Sequence, residues 1–248
     1  MTAEFLWRER SRPTRGPKPA LTLDQITDAA IAVADAEGLA TVSMQRVAAE
    51  LGYTKMSLYR YLPGKSELVA AMVERAVGEP PKLAGQGAAG AGEGAAGEGT
   101  AAGAGEGCGG WRAALTEWAE QLLRRMAGRA WVLEATAAGG RPVGPNEVAW
   151  MEAALTALPA GLTGAERMDA VATLAGHVRM IAGQATTPES EFTAAIGLVL
   201  REHADRFPAV AAAVGEAAAE GRADEAFHFG LARFLDGLEA YVWRARPR

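Results

Sequence analysis

Apolar residues recur every three or four positions along most of the chain, a pattern that is typical of amphipathic helices. The first of these segments follows Thr22, which forms a capping-box signature with Gln25 three residues later. Its apolar face comprises Ile26, Ala29, Ala30, Val33 and Ala34. The folded part of the chain is therefore predicted to begin with a helix between Thr22 and Gly38, since a glycine commonly ends a helix.

Two short helices joined by a glycine follow. Ser43 is placed as the N-cap of a helix that Gly52 ends in a left-handed turn, and Thr54 begins a shorter helix. The Pro-Gly pair at 63–64 stops that helix, and a fourth helix is predicted over about 64–77. Two short helices around a tight glycine turn indicate a helix-turn-helix. A generic small helical bundle is the alternative that the pattern by itself leaves open.

Residues 78–110 interrupt the helical pattern, because they consist largely of glycine and alanine with a few glutamates. Such a segment has few side chains to bury and loses much conformational entropy on folding, so we expect a disordered insertion. Residues 1–21 combine prolines with arginines and are predicted to form a flexible basic arm. The single cysteine, Cys108, excludes an internal disulfide and is interpreted as an incidental residue of the insertion.

The helical pattern returns after the insertion and continues to the end of the chain. The last segment has apolar residues close to a heptad spacing, which suits packing against another helix of the same chain or of a partner subunit. These residues are Phe227, Leu231, Phe234, Leu235, Leu238 and Val242. We expect an all-α fold, with an N-terminal three-helix helix-turn-helix domain and a C-terminal helical bundle. The expected boundaries are 1–21 for the arm, 22–77 for the helix-turn-helix domain, 78–110 for the insertion and 111–248 for the bundle.

The distribution of charge adds a functional indication. The chain of 248 residues has a net charge of −5, yet residues 53–65 contain three tyrosines and three cations without a single acid. Residues 1–77 carry ten Lys/Arg against nine Asp/Glu, whereas residues 78–248 carry fifteen against twenty-one. Local basic patches on a nearly neutral domain can bind phosphate although the whole protein is acidic. Because this patch coincides with the helix-turn-helix, the combination favours binding of double-stranded DNA.

The string SMQRVAAELGYTKMSLYRYLPGKSEL, at 43–68, resembles the DNA-binding domain of the tetracycline-repressor (TetR) family of bacterial transcription regulators. The resemblance covers 22–75 nearly continuously. The segments WRAALTEWAEQLL, GPNEVAWMEAAL and FHFGLARFLDGLEAYV resemble the ligand-binding and dimerisation domain of the branch that includes the tetracycline repressor itself. This resemblance implies a homodimeric repressor, in which two helix-turn-helix units read a palindromic operator and a small-molecule effector releases the DNA.

The third helix of this domain is expected to read bases. Leu58 and Leu62 should face the domain core, which leaves the first turns of the helix toward the major groove. Lysine donates to guanine, serine bonds to most bases and methionine packs on a thymine methyl group. Lys55, Met56 and Ser57 are therefore predicted to contact base edges.

Further contacts are implied around this helix. By the resemblance, Gln45 lies where family members often touch a base, and Tyr59 and Tyr61 match positions that hold phosphate. Lys65 and the free amides at the start of its helix can also bind a phosphate, and Thr54 can do so as an N-cap. Three cations of the arm are candidates for the adjacent minor groove, with a purely electrostatic contribution as the alternative: Arg12, Arg15 and Lys18.

The candidate effector site and dimer interface lie in the C-terminal bundle. Tryptophan and methionine suit a flat, apolar ligand, although each such residue is also compatible with a core position. The candidates for the lining are Trp118, Met126, Trp131, Trp150, Met151, His177, Met180 and Gln184. The candidates for dimerisation are Val171, Val178, Phe227, Leu231, Phe234 and Leu238. There is no spaced set of His, Asp and Glu that indicates a metal site, so no metal or other cofactor is expected.

The sequence argues against other classes of function. Its three histidines are scattered, and it has no phosphate loop or nucleophile motif, so we do not expect an enzyme. No apolar run approaches the roughly 20 residues that span a bilayer, and the N-terminus does not read as a secretory signal, so we expect a cytoplasmic protein without a membrane partner. A DNA-binding activator or adaptor, whose C-terminal domain binds a protein instead of a small molecule, is the alternative to a ligand-responsive repressor.

Overall fold

The computed structural model of the protein describes residues 4–7, 21–83, 110–184, 189–220 and 225–245, and every regular element within them is helical. The α-helices are α1 (Glu4–Trp7), α2 (Leu23–Glu37), α3 (Met44–Leu51), α4 (Lys55–Tyr59), α5 (Lys65–Val77), α6 (Gly110–Met126), α7 (Ala130–Ala137), α8 (Pro145–Ala157), α9 (Gly164–Gln184), α10 (Glu189–His203), α11 (Pro208–Glu220) and α12 (Ala226–Ala245). Short 3₁₀ helices lie at Leu39–Thr41 and Ala204–Arg206. The predicted all-α class is confirmed. The chain divides into two compact units, Met1–Pro159 and Ala160–Arg248.

In the first unit, α2 begins at the predicted capping box. The amide of Gln25 donates to Thr22 Oγ1 at 3.2 Å, and the amide of Thr22 donates to Gln25 Oε1 at 2.9 Å. Leu21 and Ile26 on either side of this cap are both buried, as a hydrophobic staple requires. The N-terminus of α2 is thus fixed locally, and the helix packs on α3 and α5.

The predicted helix-turn-helix consists of α3 and α4. Ser43 caps α3 by accepting a hydrogen bond from the amide of Arg46 at 3.1 Å, and Gly52 ends α3 with φ = +72°. A residue with a Cβ atom is disfavoured at this angle, so the glycine permits the sharp turn into α4. Leu58 and Leu62 are completely buried, which confirms the expectation that they anchor α4 to the core.

Helices α6, α7 and α8 complete the first unit. All three pack against α5, and α6 also packs on α8. The rings of Trp118 in α6 and Trp150 in α8 meet edge to face with centroids 5.8 Å apart, and the Trp118 indole donates to the carbonyl oxygen of Trp150 at 2.8 Å. This compact unit therefore extends well past residue 77, the expected end of the helix-turn-helix domain. The functional domain boundaries themselves stay a prediction.

The second unit contains a capping box at the start of α9. The amide of Thr163 donates to Glu166 Oε2 at 2.7 Å. The hydroxyl of Tyr241, in α12, donates to the same carboxylate; this hydrogen bond lowers the pKa of Glu166 and raises the pKa of Tyr241. α9 and α12 pack along each other, so the heptad-like stripe of α12 is used largely within the chain. Its buried members are Phe227, Leu231, Leu235 and Val242.

Gly230 allows a close approach between α12 and a side chain of α9. A Cβ atom at this position would overlap the ring of His177. The His177 ring stacks on Phe227 with centroids 5.8 Å apart, and its Nε2 lies 3.0 Å from the Phe227 carbonyl oxygen. Because a carbonyl oxygen only accepts, Nε2 carries the proton in this arrangement. At Gly237, in contrast, a Cβ atom would meet nothing within 4 Å.

The N-terminal arm is described only at residues 4–7. These residues form one helical turn, which the expectation of an irregular arm did not include. The predicted minor-groove residues Arg12, Arg15 and Lys18 lie outside the described residues. Within the parts of the chain that the structure describes, no helix is long and apolar enough to cross a membrane.

The predicted insertion is described only at its two ends. Residues 78–83 continue from α5, and Leu83 is 3% exposed, so the packed part of the chain reaches at least to residue 83. Residues 84–109, with Cys108 among them, lie outside the described residues. The ordered chain thus extends further beyond α5 than the glycine-rich composition indicates.

Candidate nucleic-acid interface

Helix α4 has one side fixed in the core and another side directed outward. Leu58 and Leu62 are 0% exposed, whereas Met56 is 65% exposed and Tyr59 is 43% exposed. Lys55, the first residue of the helix, is exposed as well. The donor of Lys55 and the methyl group of Met56 are therefore uncovered on a rigidly held helix, as contact with base edges in a major groove requires.

Thr54 and Ser57 lie together at the start of α4. Thr54 is the N-cap residue as predicted, but its hydroxyl does not bond an amide of the helix. Instead Thr54 Oγ1 lies 3.1 Å from Ser57 Oγ. One hydroxyl proton joins this pair and the other stays free to donate, so the pair can address a single acceptor on DNA. Gln45, in the first turn of α3, is exposed.

The two tyrosines that were both expected to hold phosphate differ in their environment. The ring of Tyr59 is largely exposed. Tyr61 is half-buried, and its hydroxyl donates to the backbone carbonyl of Leu21 at 2.6 Å. A phenol has a single proton to donate, so Tyr61 does not offer it to a phosphate in this conformation. This corrects the expectation for Tyr61, which instead holds the residue before the N-cap of α2.

Lys65 is exposed at the first position of α5. Gly64 is the N-cap of this helix and supplies no side-chain acceptor, so the first amides of α5 are not capped by it. A cation and free amides at one helix start favour an anion there. Glu67, in the same first turn, moderates the local positive charge. The arrangement agrees with a phosphate contact from Lys65.

Arg46 belongs to α3 but is engaged in ion pairs. Its guanidinium lies 2.6 Å from Glu37 Oε1 and 2.8 Å from Glu50 Oε2. The hydrogen bond to Arg46 lowers the pKa of Glu37, and the bond to Glu37 raises the pKa of Arg46. This cation therefore links the end of α2 to α3, and the cations left for DNA at this face are those of α4, its C-terminal turn and α5.

Helix α5 is hydrogen-bonded along its length to the segment that contains α7 and α8. Near its start, Ser66 Oγ donates to the Gly140 carbonyl at 3.1 Å. Near its end, the backbone amide of Asn146 donates to Glu74 Oε1 at 2.6 Å. The side-chain amide of Asn146 donates to the backbone carbonyl of Glu74 at 3.0 Å. The carboxylate thus lies at the N-terminus of α8, where the helix dipole favours a negative charge. A shift of α8 would therefore be transmitted to α5.

The tryptophans predicted to line an effector site are bonded to the protein itself. The Trp118 indole donates to the Trp150 carbonyl at 2.8 Å, and the Trp131 indole donates to Asp35 Oδ1 at 2.6 Å. The Trp150 indole donates to the Gly78 carbonyl at 2.9 Å. All three side chains are buried. In this conformation they serve the core of the first unit, which is the alternative that the sequence left open for each of them.

The other candidates for the lining are distributed over both units. In the first unit, Met126 is buried and Met151 is 42% exposed. In the second unit, His177 is hydrogen-bonded to the chain, whereas Met180 and Gln184 are exposed. Among the described residues, there is no group of three His, Cys, Asp or Glu side chains that could hold a metal ion.

The residues predicted to form a dimer interface are mainly interior residues of the second unit. Four of the six are at most 7% exposed, because α9 and α12 pack on each other; they are Val171, Val178, Phe227 and Leu231. Phe234 and Leu238 are half-buried. The large apolar side chains that α9 and α12 leave exposed are different ones: Met168, Met180, Phe229, Tyr241 and Trp243. The expectation is therefore corrected for the four buried residues.

Some structurally important residues carried no recognisable signal in the sequence. Glu74 and Asn146 are separated by 72 residues, and nothing in either local pattern connects them. The same holds for Asp35, the acceptor for the indole of Trp131. The only signal in the sequence is that Glu74 and Asp35 are polar residues near the ends of α5 and α2.

Comparison with known proteins identifies two matching families. Residues 26–72 match the family described as bacterial regulatory proteins, tetR family, and residues 104–242 match the tetracyclin repressor-like C-terminal domain. The HTH-type transcriptional repressor DrrR1 of Streptomyces coeruleorubidus is 37% identical over 263 residues, which cover 99% of this chain and 87% of DrrR1.

Solved structures with a similar fold include ActR from Streptomyces coelicolor. Apo ActR is 23% identical, has a TM-score of 0.70, and is matched over 93% of this chain and 100% of the ActR chain. ActR in complex with actinorhodin is also 23% identical, with a TM-score of 0.65 over 89% of this chain and 96% of that chain. At this level of identity the similarity supports the fold.

Proposed function

The chain belongs to the TetR family of bacterial regulatory proteins, and on this premise we propose that it is a homodimeric repressor that binds a palindromic operator and is released by a small effector. The family match establishes the coarser part of this statement: the chain is a helix-turn-helix transcription regulator and not an enzyme. The operator, the dimer and the effector are the proposed part.

The observation that carries the proposal is the two-sided character of α4. Leu58 is completely buried, while Lys55 and Met56 are left uncovered at the outer face. In the proposed complex these two residues, together with the hydroxyl pair of Thr54 and Ser57, contact base edges. Gln45 contacts a base from the start of α3.

Phosphate contacts flank this base-reading surface in our proposal. Tyr59 donates from its exposed hydroxyl, and Lys65 acts with the first amides of α5. Tyr61 holds Leu21 and so supports the domain indirectly. The arm adds positive charge, and its cations at 12, 15 and 18 reach the neighbouring minor groove.

A homodimer is proposed through α9 and α12 of the second unit. These helices leave large apolar side chains exposed, including Phe229 at 65% and Trp243 at 71%. Exposed apolar surface of this kind favours association with a second copy. Because Phe229 and Trp243 are fourteen positions apart, close to four helical turns, they lie on one side of α12. Sedimentation equilibrium of the protein and of Trp243→Glu tests the assignment, and a variant that stays dimeric at the same concentration would contradict it.

Release by an effector is proposed to act through α5. Its start carries Lys65, and its end is bonded to α8 through Asn146 and Trp150. An effector that favours a different position of α8 therefore displaces Lys65 from its phosphate. The complex of ActR with actinorhodin lends support to this part, since it concerns a protein of the same fold.

The decisive experiment is a selection of random double-stranded DNA with the purified protein. We expect a palindromic sequence to be enriched, and we expect a compound that stabilises the free protein in a thermal-shift screen to release it. Enrichment of no sequence would contradict the proposal at its base. If a sequence is enriched but only a protein partner, and no compound, changes its binding, the C-terminal domain acts as an adaptor instead.

A further inference from the structure

A cavity lies in the first unit, apart from the surface proposed to meet DNA. It has a volume of about 490 Å³. This volume falls within the range of roughly 300–1,000 Å³ that is typical of small-molecule sites. Its lining comes from α2, α5, the end of α6 and the turn that follows: Asp28, Ile31, Arg75, Ala76, Arg124, Arg125, Ala127 and Arg129. We call it the arginine cleft.

Four guanidinium groups and a single carboxylate line the arginine cleft. One of the four is committed within the protein. Arg75 lies 2.9 Å from Asp28 Oδ2 and 3.3 Å from Asp24 Oδ1, which ties α5 to α2. This arginine is also only partly exposed, with 37% of its side-chain surface accessible. It provides a fixed wall of the cleft.

The other three arginines keep most of their donors uncommitted. Arg124 approaches Glu120 only to 3.8 Å, and Arg129 approaches Asp35 only to 3.9 Å, which is beyond hydrogen-bond distance. Arg125 lies with its guanidinium against the backbone of residue 78, and among the described residues no carboxylate is within ion-pair distance of it. Each guanidinium has five N–H donors, so the cleft presents many donors and few acceptors.

Such a surplus of planar donors is suited to an anion. A guanidinium binds a phosphate or carboxylate group through two parallel hydrogen bonds. The apolar part of the lining is limited to Ile31, Ala76 and Ala127, so a flat apolar compound would gain little there. We propose that the arginine cleft binds a small anion that carries at least two phosphoryl groups and bridges Arg75 of α5 to the arginines at the end of α6.

The position of the cleft argues against the DNA backbone as its occupant. Arg75 lies ten positions after Lys65 in the same helix. At 1.5 Å per residue, this separation corresponds to about 15 Å along the axis of α5. The cleft is therefore separate from the phosphate that Lys65 would hold, which favours a free small anion as the occupant.

An anion in the cleft would act on the arrangement of helices within the first unit. It would hold α5, whose start carries Lys65, to α6. Because it binds only where these arginines are brought together, it stabilises the folded chain in proportion to its concentration. The cleft does not include the residues proposed to contact DNA, so pyrophosphate binding can be measured independently of operator binding.

Titration calorimetry of the full chain with inorganic pyrophosphate tests the site directly. We expect saturable binding of one pyrophosphate per chain, and a loss of affinity of tenfold or more in the double variant Arg124→Gln/Arg125→Gln. Arg201→Gln, an exposed arginine of α10, is the matched control and should bind as the parent does. Arg129→Lys keeps the charge but loses the two-pronged geometry, so it should weaken binding as well.

Four results would overturn the proposal. One is the absence of saturable pyrophosphate binding. Another is an equal affinity for pyrophosphate in the parent and in the double variant, provided that the two proteins unfold at the same temperature. The third is tighter binding of citrate than of pyrophosphate, which would contradict the assignment to phosphate. Operator binding is measured in parallel at several salt concentrations. We expect the slope of the logarithm of the binding constant against the logarithm of the salt concentration to be the same in the parent and in the double variant. A slope whose magnitude is lower by about two in the double variant would place these arginines on the DNA backbone instead.

Discussion

The indole nitrogen of Trp131 donates a 2.6 Å hydrogen bond to Oδ1 of Asp35, and this contact joins α7 to α2. Trp131 is 3% exposed, and the Arg129 side chain lies 3.9 Å from the same carboxylate oxygen. α2 is a helix of the helix-turn-helix part, whereas α7 follows the glycine-rich segment in the chain. A tryptophan expected in an effector lining thus holds these two parts of the first unit together.

Replacement of Trp131 by phenylalanine should lower the free energy of unfolding by about 1–3 kcal/mol, because it removes a hydrogen bond to a charged acceptor and part of a buried ring. Urea unfolding followed by circular dichroism measures the change. Trp7→Phe is the matched control, since Trp7 is 54% exposed and its replacement should have little effect. Equal changes in the two variants would contradict the role assigned to the contact.

The two tyrosines near α4 should separate into a DNA contact and a structural contact. Tyr59→Phe should weaken binding to all DNA sequences alike without changing stability, because its exposed hydroxyl is assigned to phosphate. Tyr61→Phe should instead lower the free energy of unfolding by about 0.5–1.5 kcal/mol, since it leaves the Leu21 carbonyl without its donor. Fluorescence anisotropy with labelled DNA and urea unfolding measure the two effects. A loss of stability in Tyr59→Phe, with none in Tyr61→Phe, would reverse the assignment.

Replacement of Lys55 by alanine should relax the base preference, with a loss of about 1–3 kcal/mol on the preferred sequence. The lysine donor is exposed at the first turn of α4, so its removal takes away one base-specific hydrogen bond. Selection of DNA sequences with the variant is the measurement. Lys82→Ala, an exposed lysine beyond α5, serves as the control and should leave the preference unchanged. An unaltered selected sequence with Lys55→Ala would show that this lysine does not read a base.

The helix-turn-helix could be predicted from the sequence because its determinants are local. Thr22 and Gln25 form their capping box within a single turn, and the left-handed Gly52 requires no distant partner. The Tyr61 hydroxyl, in contrast, is bonded to a carbonyl 40 residues earlier in the chain. No local pattern reports such an acceptor, so the family position indicated phosphate where the fold supplies a backbone oxygen.

The candidate effector and dimer residues show the same limit. A tryptophan such as Trp118 is apolar enough for a ligand site and for a core, and only its acceptor on Trp150 distinguishes the two. In α12, the heptad-like spacing correctly marks a packed face. The spacing does not say whether α9 of the same chain or a second copy covers that face, and α9 covers Phe227 and Leu231.

Stability should depend on acid pH through the pair of Glu37 and Arg46. The hydrogen bond to Arg46 holds the pKa of Glu37 below its ordinary value of 4.5 in the folded state. The pair therefore stabilises the fold at pH values above 4.5, and this contribution is lost as the pH falls through the lowered pKa. Glu37→Gln should be less stable than the parent at pH 7, and the difference should shrink toward pH 3.

Urea unfolding at these two pH values measures the dependence. Glu216→Gln, at an exposed position of α11, is the control and should leave the stability at pH 7 nearly unchanged. A difference between Glu37→Gln and the parent that persists undiminished at pH 3 would contradict the electrostatic origin, since the carboxylate of the unfolded chain is already protonated at this pH. High salt should reduce the difference at pH 7, because both partners of the pair are partly exposed.

Because Gly230 lies against the His177 ring, replacement by alanine should destabilise the protein at Gly230 but not at Gly237. Gly230→Ala places a Cβ atom into the His177 ring, so the ring must move away from Phe227, and the free energy of unfolding should fall by about 1–3 kcal/mol. Gly237→Ala meets nothing within 4 Å and, as an alanine within a helix, should raise the free energy of unfolding by about 0.5–1 kcal/mol. Thermal and urea unfolding of the two variants compare these opposite signs directly. A stabilised Gly230→Ala would mean that the His177 ring is not held against α12.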